Sequence, residues 1–304
     1  MTKKILITGA NGQLGHEMRN ALKGNNRFEC IFTDVAELDI CNAEAVKQTI
    51  ADNHIDYIVN CAAYTQVDKA EDNAELCKKI NTDAVENLAR AAADYGARMI
   101  HISTDYVFNG RGYRPYTEDV VPDPQSVYGS TKLEGEKILT DICPESIIIR
   151  TAWLYSPYGN NFVKTMLHLG EEREELSVVA DQIGTPTCAA DLAQAILVIL
   201  QADTFVPGTY HFSDEGACSW YDFTVTIHRL AGITTCRVTP IRSDEYPSKA
   251  HRPFYSVLDK SKIKKTYGLT IPHWYLCKNR SCSLDRTCDN RTRGILRSAI
   301  QHIF

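Results

Sequence analysis

From residue 3 the chain alternates short, β-branched apolar runs with longer stretches whose apolar positions recur every three or four residues. KKILIT runs into a glycine-rich turn and then into the helical pattern of GQLGHEMRNAL. FECIFTDV is a second apolar run that ends in an acid, AEAVKQTIADNH is amphipathic, and IDYIVNCAAY is a third run. AELCKKINTDAVENLARAAADYG predicts one long helix closed by Gly96, since glycine readily takes the left-handed conformation that ends a helix. ARMIHISTDYVF, a helix opening at SVYGSTK, and SIIIRTAWLY complete the series. Short apolar strands alternating with helices predict a parallel sheet covered on both faces. Right-handed crossovers make it doubly wound, so the expected class is α/β of the Rossmann type.

Beyond about residue 155 the rhythm loosens. NNFVKTMLHLGEEREELSVV predicts a helix followed by a strand, and DLAQAILVIL is strongly helical. GTYHFSD, a helix through WYDFTVTIHRLAG, and a proline-bearing stretch near Tyr246–Pro253 suggest a smaller α+β lobe. The expected division is a dinucleotide-binding domain over 1–155, joined again by 187–215, and a substrate lobe from 156–186 and 216–274. EEREE, at 171–175, is expected to be a solvated helix face. The final stretch, 275–304, packs three cysteines and many arginines into little apolar periodicity. It is expected to be a divergent or frame-shifted tail, part of it disordered, with a C-x4-C-x5-C metal site as the sharper alternative.

Bulk properties narrow the function. A chain of 304 residues can bury a sizeable core. A net charge of −5 gives no basic footprint for nucleic acid. The opening apolar run meets glycines too soon for a signal peptide, and no run approaches a membrane span. The chain is therefore expected to be cytoplasmic, without a leader. Its eleven cysteines include no C-x-x-C pair and mostly stand singly in apolar contexts. In a reducing compartment such cysteines are small core hydrophobes. No metal site is assigned.

Gly9, Gly12 and Gly15 form G-x-x-G-x-x-G between the first strand and the first helix. Glycines allow a tight turn and close approach to a pyrophosphate, and the helix N-terminus offers unpaired N–H groups. Asp34, ending the second strand, is placed to accept hydrogen bonds from ribose hydroxyls. A carboxylate there repels a 2′-phosphate, which favours NADH over NADPH. Asp39 and Ile40 could line the adenine. Asn60 to Ala63 end the third strand, where small residues let a cofactor lie close.

Tyr128 and Lys132 are four apart and share a helix face. A free phenol, with a pKa near ~10, is a poor acid at neutral pH, and an adjacent ammonium lowers it. The lysine can also hydrogen-bond the nicotinamide ribose. Ser103 and Thr104 end the fourth strand at the same sheet edge. Thr104, Tyr128 and Lys132 together suit hydride transfer to a carbonyl, with Tyr128 as general acid.

GANGQLG, STDYVF and YGSTK resemble the extended short-chain dehydrogenase/reductases. More narrowly, NCAAYTQVDKAE, INTDAVENLA, IIRTAWLY, GNNFVKTML and VVADQIGTPT make residues 3 to 274 similar to the dTDP-4-dehydrorhamnose reductase family. The resemblance implies NAD(P)H-dependent reduction of the C4 ketone of dTDP-4-dehydro-β-L-rhamnose to dTDP-L-rhamnose. It implies cofactor contacts from Asn11, Gly12, Gln13 and Leu14, from Asp34, Asp39 and Ile40, and from Ala62, Ala63 and Tyr64. Tyr128 and Lys132 would serve both cofactor and catalysis, and Thr104, Asp105 and Trp153 would meet the sugar nucleotide. An indole at a strand end can form a flat apolar wall. Arg252, whose planar fork matches phosphate oxygens, is the expected pyrophosphate clamp, and Asn161 a further substrate contact. Some members of the family are magnesium-linked dimers using glutamates of the first helix and the C-terminus. Glu17 matches the first, but the aberrant tail offers no second, so magnesium is left unassigned and a homodimer remains an open expectation.

Two other readings compete. An epimerase or dehydratase of the same superfamily would retain its cofactor through the cycle, but Thr104-Asp105 is not followed by the glutamate that a 4,6-dehydratase needs. A non-catalytic protein similar to the regulatory subunit of methionine adenosyltransferase would act by binding a partner. Thr104, Tyr128 and Lys132 standing together favour catalysis.

Overall fold

The computed structural model describes residues 2–276. Its main layer is a six-stranded sheet of β1 (Lys3–Thr8), β2 (Phe28–Thr33), β3 (Tyr57–Asn60), β4 (Arg98–Thr104), β5 (Ile147–Thr151) and β10 (Gly208–His211), with β6 to β9 intervening in sequence. The order is β10-β5-β4-β3-β1-β2, and every pairing is parallel. Successive strand residues point to opposite faces, and the core divides accordingly. Ile5, Ile7, Val59, Ile100, Ile147 and Ile149 enter one cluster, with α1 (Gln13–Leu22) and α8 (Ala189–Gln201) packed over them. Leu6, Ile58, Met99 and Ile148 enter the other, under α2 (Ala43–Asn53), α5 (Ala84–Tyr95) and α6 (Val127–Ile142). This is the doubly wound α/β architecture expected. The chain winds outward in both directions from β1, so the crevice between the carboxyl ends of β1 and β3 is the topological switch point, where ligands of such sheets bind.

Three local departures from the sequence pattern have physical causes. The fourth strand stops at Thr104, whose hydroxyl accepts from the Tyr106 N–H and caps a 3₁₀ turn over Asp105–Val107. The long helix predicted from Ala74 to Gly96 runs without a gap but is not uniform, passing from α4 (Ala74–Lys78) through a π-helical turn over Lys79–Asp83 into α5, and a separate short helix, α3 (Val67–Asp72), precedes it. Gly96 does close it, with φ +70°. EEREE is exposed but is not a helix face: α7 (Phe162–Glu172) ends inside it and β7 (Glu175–Val179) begins there.

Residues 187–215 supply α8, which packs on α1, and β10, which pairs with β5. The rest of the chain, together with β9 from the start of that segment, forms a less regular body. β7 pairs with β12 (Arg237–Ile241), β6 (Leu154–Tyr155) with β9 (Thr187–Cys188), and β8 (Ile183–Gly184) with β11 (Cys218–Ser219). Its own apolar cluster lies between α7 and α9 (Trp220–Ala231), and α10 (Ser261–Tyr267) follows. Among the described residues no helix is long and apolar enough to cross a membrane. Of the tail expected from 275 onward, only Tyr275 and Leu276 are described, in a 3₁₀ turn over Trp274–Leu276; the expectations for 277–304, with cysteines at 277, 282 and 288, lie outside the described residues.

Candidate active site

The switch-point crevice is shaped by absent side chains. Gly9 takes φ +64°, and a Cβ there would stand 2.6 Å from the Ala62 nitrogen. A Cβ on Gly15 would collide with the Gly9 carbonyl and the Ala10 backbone. The turn after β1 is therefore pressed against the end of β3, and only glycine fits. The resulting cleft, about 570 Å³, is lined by Gly9, Asn11, Gly12, Asp34, Asp39 and Ile40, with Ala62 and Ala63 opposite. No side chain caps Gly12 at the start of α1, which leaves that helix end open to an anion. Asp34 Oδ2 accepts from the Asn11 N–H at 2.9 Å and Oδ1 from its neighbour's, Val35, at 2.9 Å. Its carboxylate is thus held at the cleft edge with lone pairs to spare. These features fit a dinucleotide.

Gln13, Leu14, Gly15 and Tyr64 of the predicted cofactor set do not line this cleft. Leu14 is buried in the core beneath the sheet, Gly15 packs on the turn, and Gln13 Oε1 accepts from Asn161. Tyr64 packs against the cluster that contains Tyr128, and its backbone N–H donates to Asn81. Val35, Leu38, Cys41, Leu76, Lys79 and Ile80 also line the cleft and were missed. Lys79 is a cation at a site built for an anionic ligand. Its visible signal was a lysine pair in KKIN, which periodicity alone assigns to solvent.

The second half of the site begins where Ser126 caps α6, its Oγ accepting from Gly129 at 3.1 Å. That cap sets the first turn of the helix and with it Tyr128, which is 9 % exposed. Here the expected acidification is corrected. Burial pushes the Tyr128 phenol well above its ordinary range, and a hydrogen bond with Thr104 only partly offsets this. Lys132 directs its nitrogen to the Ile102 carbonyl at 2.6 Å and faces His101 Nε2 at 3.2 Å. Its own pKa falls to about 8, chiefly through burial. Desolvation of both groups outweighs the attraction that spacing alone suggested.

The two halves join through β3 and β4. The Asn60 side-chain oxygen accepts from the Ala62 N–H at 3.1 Å and from Thr8 at 2.7 Å, and its amide nitrogen meets His101 Nδ1 at 3.0 Å. A continuous buried chain thus runs from the glycine turn to Lys132. His101 was missed in the sequence. Its signal is a polar residue inside the otherwise apolar run MIHI.

The residues expected to meet the sugar have mixed fates. Asp105 is buried beside the Thr104 hydroxyl, which donates to Oδ1 at 3.1 Å, and beside Ser256; burial raises its pKa to about 6. Trp153 is half-buried with φ +47°, a strained backbone for a bulky side chain that persists only where its surroundings dictate it. Its ring stacks on Trp220, centroids 3.4 Å apart, and Gly184 leaves space for the indole. Trp153 and Trp220 thus form a stacked pair of indoles. Asn161 caps α7 through Lys164, and its amide donates to Gln13 and to the Ser156 carbonyl. Arg252 is likewise engaged, its fork binding both oxygens of Asp68 at 3.0 and 2.6 Å, with Ser248 alongside. That pair holds Asp68 near 2. Glu17 is buried on α1 and accepts from Asn20, and burial raises its pKa.

Residues 3–281 match the family described as the RmlD substrate binding domain. The chain is 42% identical to the dTDP-4-dehydrorhamnose reductase of Escherichia coli K12 over 283 residues, covering 89% of this chain and 94% of that one. It is 41% identical to that of Aggregatibacter actinomycetemcomitans, over 89% of this chain and 95% of the relative. Among solved structures, a dTDP-4-dehydrorhamnose reductase of Clostridium acetobutylicum superposes with a TM-score of 0.85 at 48% identity, covering 89% of this chain and 95% of that one. One from Bacillus anthracis, in complex with NADP, superposes with a TM-score of 0.86 at 41% identity, covering 90% and 96%. With identity of this order over nine-tenths of its length, the chain belongs to the dTDP-4-dehydrorhamnose reductase family of the extended short-chain dehydrogenase/reductases.

Proposed function

We propose that this protein reduces the C4 ketone of dTDP-4-dehydro-β-L-rhamnose to dTDP-L-rhamnose with NADH or NADPH, as a cytoplasmic enzyme of nucleotide-sugar synthesis. The observation that carries the reading is the buried chain from Ala62 through Asn60 and His101 to Lys132, which ties the dinucleotide cleft to the Tyr128 helix. Gly9, Gly12 and the opening of α1 receive the pyrophosphate, Asp34 the adenosine ribose, and Ala62 and Ala63 the body of the cofactor. When bound, the nicotinamide supplies the hydride.

Tyr128 then supplies the proton. Its raised pKa keeps the phenol protonated at neutral pH but makes it a weaker acid than a free phenol, so donation relies on the negative charge that develops on the ketone oxygen as hydride arrives. Thr104, hydrogen-bonded to Tyr128, orients it and would bond the same carbonyl oxygen. Lys132 holds the ribose side of the site. As hydride adds to the ketone carbon, the phenolic proton moves to the oxygen, leaving a secondary alcohol. Trp153 and Trp220 form the wall for the sugar nucleotide. Arg252 serves the pyrophosphate only by exchanging Asp68 for it. The retained Asp34 carboxylate favours NADH, although the Bacillus anthracis relative carries NADP.

Nucleotide consumption tests this over a panel of 4-keto nucleotide sugars. The dTDP sugar should oxidise NADH or NADPH one for one, and Tyr128→Phe should lower turnover by about 10²–10⁴-fold while cofactor affinity holds. Turnover near wild type in that variant would remove Tyr128 from the mechanism. Absence of net nucleotide oxidation with every sugar would overturn the reductase reading.

A further inference from the structure

The chain of side chains behind Lys132 has a direction fixed by its donors and acceptors. The Ala62 N–H can only donate, so the Asn60 atom it meets at 3.1 Å is the side-chain oxygen. The Thr8 hydroxyl shares that oxygen at 2.7 Å. The atom turned to His101 Nδ1, 3.0 Å away, is therefore the amide nitrogen, which also can only donate. Nδ1 must accept. A neutral imidazole that accepts at Nδ1 carries its hydrogen on Nε2, and His101 is fully buried, with burial and Lys132 holding it neutral. That Nε2–H points at Lys132 Nζ, 3.2 Å away. An ammonium offers three donors and no acceptor, so the charged lysine would set donor against donor. An uncharged amine would accept the bond.

We propose that His101 is a positioning residue for Lys132: its Nε2–H tautomer, imposed by Asn60 from the cofactor side, opposes the ammonium form of the lysine. The inference deepens the functional reading above and rests on its assignment of Lys132 to the cofactor site. The other groups around the lysine do not supply this effect. The Ile102 carbonyl, at 2.6 Å, accepts from either form. Glu136, one turn along α6, favours the charged form but is paired with Arg150 of β5 at 2.6 Å. Cys77 of α4 also favours it; Glu71 of α3 is bound to the Val127 N–H. Burial alone lowers the lysine's pKa to about 8, and the His101 N–H opposes the charge in addition. A lysine of this kind can change charge as cofactor and substrate arrive, where an ordinary one stays charged throughout. Because Asn60 also holds the Ala62 N–H on the wall of the cleft, movement there is felt at Lys132.

The test needs no turnover. ¹⁵N-histidine and ¹³Cε-lysine spectra of the full chain without cofactor report the tautomer of His101 and the titration of Lys132, the latter assigned by its loss in Lys132→Met. Expected are an unprotonated Nδ1 with a protonated Nε2 in His101, and a Lys132 midpoint near 8 instead of 10.5. In His101→Gln the side-chain oxygen can turn to the lysine and accept from an ammonium, so the midpoint should rise by about one unit or more. A hydrogen on Nδ1, a midpoint in the ordinary lysine range, or an unmoved midpoint in folded His101→Gln overturns the proposal. Should that variant fail to fold, the wild-type tautomer and midpoint still decide. A purely structural His101 would lower stability without moving the midpoint. Lack of ketone reduction would sink the functional reading and leave this pair intact.

Discussion

The dinucleotide cleft and the sugar-facing lobe are built by opposite means. At the cleft, backbone meets backbone: a Cβ at Gly9 would lie 2.6 Å from the Ala62 nitrogen, and a Cβ at Gly15 would strike the turn itself. What the ligand meets there are N–H groups, small residues and the carboxylates of Asp34 and Asp39, with Lys79 and a few apolar side chains at the margin. In the lobe the polar side chains expected to grip substrate already have protein partners. Arg252 is bound to Asp68 and Asn161 to Gln13, Ser156 and Lys164. A site made of backbone is open to ligand by construction, whereas a site made of long side chains opens only if ligand displaces a partner.

That contrast predicts unequal sensitivities. The largest should follow Gly9→Val, where both the left-handed backbone and the approach to Ala62 forbid a branched side chain. Displacing the turn by about an ångström should lower kcat/KM by about 10²-fold or more, with nucleotide affinity falling alongside. Titration calorimetry with NADPH and with NADH would register it; normal binding would mean the turn can move aside. Next is Asp34→Ala, which removes a charged acceptor for ribose hydroxyls and the repulsion toward a 2′-phosphate. The ratio of kcat/KM for NADPH over NADH should rise about tenfold, in line with the loss of one charge-assisted hydrogen bond. An unchanged ratio would refute the ribose assignment.

Smaller effects are expected in the lobe. Arg252→Ala breaks a partly exposed pair and should lower stability by about 1 kcal/mol or less, with KM for the dTDP sugar rising less than about tenfold. A much larger rise in KM at unchanged kcat would show that the arginine does leave Asp68 to clamp the pyrophosphate. Asn161→Ala removes a helix cap and should reduce stability by about 1 kcal/mol while turnover is retained. Thermal melts and steady-state assays on the same preparations separate the two roles.

The same contrast explains what could be read from residue order. Alternation in KKILIT put Ile5 and Ile7 on one face and Leu6 on the other, and the two core clusters follow it. The glycine spacing and the Tyr128–Lys132 interval are local geometry, so their elements were legible. Partners distant in sequence were not. Asp68 lies 184 residues before Arg252, and His101 lies 41 residues after Asn60. Burial was the other blind spot. Spacing suggested that Lys132 would acidify Tyr128, but spacing contains no information on solvent, and desolvation drives the phenol the other way. The π-helical turn at Lys79–Asp83 was hidden similarly, because its residues continue a helical apolar pattern.

The most direct measurement of the account is isotope transfer. NADH or NADPH carrying deuterium at the transferable C4 position of the nicotinamide is incubated with the dTDP-4-keto sugar, and the sugar product is weighed by mass spectrometry. The account predicts one deuterium at the sugar C4 for each cofactor oxidised. A product without label, or sugar conversion with no net cofactor oxidation, would contradict it.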